Sequence, residues 1–137
     1  MKVLLTYLAT LAVFVAIDIV WLGVVAKDYY RSSIGHLMGD GFNIPAAVAF
    51  YLIYVVGVMM FAVLPAAQSG DWVRAAILGA AFGFFAYATY DLTNLATLKG
   101  FPWQVALVDM AWGTALSAVA AALGCIIARI VLERLGA

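Results

Sequence analysis

Four long apolar stretches set the limits on what this chain can fold into. They run over about residues 3–25, 44–64, 72–98 and 103–131, and each reaches the roughly 20 residues a helix needs to cross a hydrocarbon core. Hydrophobic residues make up 68% of the sequence and charged residues 10%, against about half and about a quarter in soluble domains. The expected fold class is therefore all-α. It is a four-transmembrane-helix bundle, a single integral membrane domain over 1–137, with a short interfacial segment between helices 1 and 2. A signal peptide is the rival reading of the first stretch, since Lys2 gives it a charged start. Its apolar run exceeds the core of about 7–15 residues found in such peptides and carries Asp18 and Trp21, so we expect a retained span.

The punctuation between the stretches fits this arrangement. Tyr29 and Tyr30 beside Lys27 and Arg31 are amphipathic groups suited to headgroup depth, on a surface-lying helix from about Asp28 to Met38. Gly39, Asp40, Gly41 and Asn43 read as a turn, with Pro45 opening the next helix and Pro65 ending it. Asp71 is placed to cap the third helix, Gly100 to close it in the left-handed region, and Pro102 to open the fourth. Gly79 and Gly83 on the third span, and Gly113, Ser117, Ala121 and Gly124 on the fourth, form small-residue faces expected to pack within the chain.

Charge excludes one class of partner. The chain has 7 Lys and Arg against 7 Asp and Glu and no basic tract, which removes the electrostatic footprint of nucleic-acid binding. The bilayer is the first partner implied, and a second copy or a larger membrane complex stays open. Cys125 is the sole cysteine, so no internal disulfide forms, and its place in an apolar run marks it as a small packed hydrophobe.

The informative polar residues lie inside the spans. Tyr87, Tyr90, Asp91, Asn94 and Thr97 recur at helical spacing and make one stripe on the third span. Asp91 and Asp109 are equally far from Gly100, so in an antiparallel pair they stand at one height, about 13 Å of helix rise from the turn. Asp18 on the first span and Tyr51 on the second fall at about that depth. Trp21 and Trp112 follow Asp18 and Asp109 by one helical turn, on roughly the same faces. On insertion scales an aspartate near a span centre costs about 2.5–3.5 kcal/mol, and such residues face a bundle interior or wet cavity and mark a functional path.

No Lys or Arg lies within a span near this cluster. Lys27, Arg31, Lys99 and His36 belong to the near-side loops and reach it only by folding down. Clustered carboxyls in a low dielectric cannot all stay ionised, so either a proton or a cation must sit among them. The candidate ligand set is Asp18, Asp91, Asn94 and Asp109, lined by Trp21, Tyr51, Tyr87, Tyr90 and Trp112, with His36 as a loop contributor. A metal, if bound, would use Asp18, Asp91 and Asp109, and the all-oxygen set favours a hard cation such as magnesium, calcium, manganese or sodium.

The blocks Tyr90-Asp91-Leu92-Thr93-Asn94-Leu95-Ala96-Thr97-Leu98, Lys99-Gly100-Phe101-Pro102-Trp103 and Val108-Asp109-Met110-Ala111-Trp112-Gly113 resemble a bacterial family of small four-span membrane proteins catalogued as a domain of unknown function. The resemblance covers nearly the whole chain and implies an inner-membrane location. It implies no activity. Basic residues near the span ends, Lys2, Arg74, Arg129 and Arg134 against Lys27, Arg31 and Lys99, put the termini on the cytoplasmic side by a majority of one.

Three functions follow from these residues. The first is a proton or hard-cation site coupled to transport or to recognition of a small or lipid-like molecule. The second is a membrane-embedded enzyme using an aspartate as acid or base, with or without a metal, on a lipid-like substrate. The third is an accessory subunit in which the polar network only ties the helices together.

Overall fold

The computed structural model describes residues 1–136. It contains α1 (Lys2–Val20), a π-helical turn (Trp21–Val25), α2 (Lys27–Ile34), a 3-10 turn (Gly35–Leu37), α3 (Ile44–Val58), a second π turn (Met59–Val63), α4 (Leu64–Ala67), α5 (Trp72–Thr97) and α6 (Trp103–Arg134). No strand occurs among the described residues. Four continuous helical stretches, Lys2–Val25, Ile44–Ala67, Trp72–Thr97 and Trp103–Arg134, are long and apolar enough to cross a membrane. Their outward faces carry large apolar side chains such as Ile53, Phe61, Phe85 and Val24, which suit contact with lipid chains.

Local sequence sets the ends. Asn43 accepts a hydrogen bond from the Ala46 N–H at 3.2 Å, with Pro45 in the first turn of α3. Asp71 accepts from the Arg74 N–H at 2.9 Å. Gly100 turns the chain between α5 and α6 at φ +79°, a conformation that favours glycine. The second stretch does not stop at Pro65. It continues to Ala67 because the π turn over Met59–Val63 leads straight into α4, whose first turn tolerates a residue with no N–H to give.

The α5–α6 hairpin is the spine, and its glycines explain why. A methyl group on Gly79 would meet the Ser117 carbonyl oxygen at 2.5 Å, and one on Gly83 would meet the Ser117 Oγ at 2.5 Å. The two backbones are thus packed against each other with no room for a side chain between them. α1 packs on α6, with Thr10 set against Gly124, and α3 leans on α1. α3 touches α5 mainly at its far end, through the Met59–Val63 turn. Nearer the loop side Tyr54 of α3 bridges to α5, its ring against Phe82 and Tyr87.

Below the middle of the bundle Phe14, Val55, Val58, Val63 and Leu116 form a fully buried apolar core. At the loop end, α2 lies across the hairpin turn. Tyr29, Tyr30 and Ile34 pack on Phe101, Val105 and Ala106, and His36 Nε2 lies 3.2 Å from the Gly100 carbonyl oxygen.

Candidate functional site

The loop-side half of the bundle holds two adjoining cavities, each of about 540 Å³. Leu22, Tyr90 and Asp109 line both and form the wall between them. The first cavity lies under α2, between Lys27, Tyr30 and Arg31 on one side and Asp91, Phe101, Val105 and Asp109 on the other. The second is walled by Asp18, Phe50, Tyr51, Tyr54, Tyr87 and Trp112, between α3 and α5.

Asp18, on the last turn of α1, is buried and fully engaged. Tyr51 donates its hydroxyl to Oδ2 at 2.6 Å, and Trp112 donates its indole N–H to Oδ1 at 3.0 Å. Asp109, on the second turn of α6, is half-buried and accepts a hydrogen bond from the Tyr30 hydroxyl at 3.0 Å. Tyr30 in turn lies 3.4 Å from the Trp21 indole N–H, and the Trp21 ring stacks on Trp112 with centroids 4.2 Å apart and planes 8° from parallel. Burial first, and the Asp109 charge second, push the Tyr30 phenol above its ordinary value, so it remains a neutral donor.

Asp91 differs from both. It is 0% exposed, and no fixed donor of the protein reaches either of its carboxyl oxygens. Its neighbour is the Asp109 carboxyl, which can bond it only through a proton that the two share. An ion pair to either is missing, since the only one among the described residues is Arg129–Glu133 at the far end of α6. A buried carboxyl in this state costs about 1–3 kcal/mol relative to a satisfied one. Such a cost is commonly tolerated where function needs the group.

The carboxyls grouped by depth in the sequence are therefore divided. Asp91 and Asp109 face the first cavity, and Asp18 and Asp109 face the second. Among the described residues no three His, Cys, Asp or Glu side chains gather closely enough to hold a metal ion. Asn94 is half-buried and lines neither cavity, being one turn nearer the loop than Asp91. His36 is occupied with the α5–α6 turn and lines neither. Trp21 stacks behind the site, while Tyr51, Tyr87, Tyr90 and Trp112 line cavity walls.

Three residues enter that the spans alone did not announce. Tyr30, Lys27 and Arg31 come from α2, the segment between the first two spans, which packs over the hairpin turn. The signal was present in the apolar Phe101 and Val105 beside the turn, which needed a cover. Trp21 falls within a π turn, a distortion frequent at functional sites, which carries the chain from the end of α1 into α2.

A family model described as "Predicted membrane protein (DUF2177)" matches residues 3–126. No curated protein and no solved structure matches the chain.

Proposed function

The chain belongs to the DUF2177 family of predicted membrane proteins, and from that premise we propose that it is a membrane-embedded receptor for a small or lipid-like amphiphile, its binding linked to a proton held between Asp91 and Asp109. The observation that carries this is Asp91 itself, a wholly buried carboxyl lining a cavity with no fixed donor on either oxygen and a second carboxyl beside it. Two such groups with no cation in contact share a proton more readily than they share a charge. The cavity size is that of a small-molecule site.

Recognition fits the geometry better than conduction. Both cavities lie on the loop side, and Phe14, Val55, Val58 and Leu116 close the bundle beneath them. The location proposed is a bacterial inner membrane with cytoplasmic termini, supported by the basic residues near the span ends.

Difference infrared spectroscopy of the protein in lipid nanodiscs tests the shared proton. A protonated-carboxyl band should persist at neutral pH and vanish in Asp91→Asn. If the wild type shows no such band, or the variant keeps it unchanged, the reading fails.

A further inference from the structure

The cavity under α2 presents opposite charges that do not meet. Asp91 and Asp109 face it from α5 and α6, and Lys27 and Arg31 face it from one turn of α2, yet no ion pair joins the two sets. An anion alone would engage Lys27 and Arg31 and leave Asp91 and Asp109 with no more than the proton they share. An amine alone would satisfy the carboxyls and leave the basic pair idle. We infer that this cavity binds a zwitterionic group in which an ammonium is joined to a phosphate, the ammonium on Asp91 and Asp109 and the phosphate on Lys27 and Arg31.

The chemistry fits each end. An ammonium offers three donors, and Asp91 has two oxygens that no fixed donor of the protein reaches. A guanidinium matches phosphate oxygens bidentately, with lysine adding a point charge. The remaining wall is mostly apolar, with Leu22, Ile34 and Phe42 near the basic pair, which suits the glycerol and first chain carbons of an aminophospholipid. This inference rests on the shared-proton reading above. When the ammonium arrives, the proton held between Asp91 and Asp109 leaves to solvent, so charge in the floor is conserved and one proton is released for each ligand bound.

The test uses the whole chain in mild detergent, read by native mass spectrometry against phosphatidylethanolamine, phosphatidylglycerol and soluble phosphoethanolamine. The wild type should bind phosphatidylethanolamine at least about tenfold more tightly than phosphatidylglycerol. Asp91→Asn should close that gap while its helical circular dichroism stays intact, with Asp109→Asn as a second variant. Lys27→Gln combined with Arg31→Gln should weaken both lipids about tenfold and leave the preference standing. Equal binding of the two lipids by the wild type, or a preference surviving both aspartate variants, overturns the inference. Competition by phosphoethanolamine at equal concentration supports the same chemistry with a soluble source, and its failure to compete supports the lipid. An infrared band with no lipid preference defeats the ligand class alone, whereas a preference with no band defeats the shared proton alone.

Discussion

Replacing Asp91 with leucine should make the protein more stable. The wild-type carboxyl is wholly buried with no fixed donor on either oxygen and only a proton shared with Asp109 to satisfy it, a condition that costs about 1–3 kcal/mol. Insertion scales separate Asp from Leu by roughly 3–4 kcal/mol at a span centre, and Asp91 sits nearer the loop and inside protein, so the smaller figure governs. The bulkier leucine has a cavity of about 540 Å³ to lean into, which removes the usual penalty of overpacking. We expect Asp91→Leu to gain about 1–3 kcal/mol in reversible denaturation followed by helical circular dichroism, while losing ligand binding. Asp18→Leu is the matched control, because it strips the acceptor from Tyr51 and Trp112 and should lose about 2–4 kcal/mol. One residue type, at one depth, should thus give opposite signs. A loss above about 1 kcal/mol in Asp91→Leu would show that the bond shared with Asp109 outweighs the cost of burying the carboxyl and would refute the reasoning.

Other substitutions probe the parts around it. Tyr30→Phe removes the hydrogen bond to Asp109 and should cost about 1 kcal/mol, with faster amide exchange confined to α2 and the turn it covers. Because the folded state holds the Tyr30 phenol neutral, its contribution is whole below pH of about 10 and is lost as pH rises further, so the same variant should flatten alkaline destabilisation. Gly83→Ala drives a methyl group to 2.5 Å from Ser117 Oγ and 2.7 Å from Ser117 Cβ, and denaturation should show a loss of about 1–3 kcal/mol. Trp21→Phe breaks the indole stack on Trp112 and should abolish the coupled tryptophan signal in near-ultraviolet circular dichroism, at a cost of about 0.5–1.5 kcal/mol.

Much of this arrangement can be read from spacing. Equal distance from Gly100 placed Asp91 and Asp109 at one height because the hairpin is antiparallel and its glycines hold it tight. Depth alone also brought Tyr51 and Trp112 to Asp18. What spacing could not reveal is rotation about each helix axis. Asp18 turns toward Tyr51 and Trp112, whereas Asp91 lies against Asp109 in the wall of the cavity under α2, so one layer of carboxyls becomes two cavities with Asp109 between them. Asn94 shares the stripe of Asp91 yet misses the cavities by being one turn too shallow. The contribution of α2 was hidden for another reason. Tyr29 and Tyr30 carry the composition of a headgroup belt, and only the apolar patch made by Phe101, Val105 and Ala106 after folding draws them inward.

The π turn at Trp21–Val25 has a consequence for how this chain tolerates change in length. Each residue advances a helix by roughly 100°, and the π turn already holds one residue more than an α-turn, so a further residue added beside Gly23 would swing everything downstream by that angle. Hydropathy would hardly notice. Tyr30, however, would be carried off Asp109 and the cover lifted from the cavity, so the tally of residues between Asp18 and Tyr30 matters more to the site than the identity of most of them.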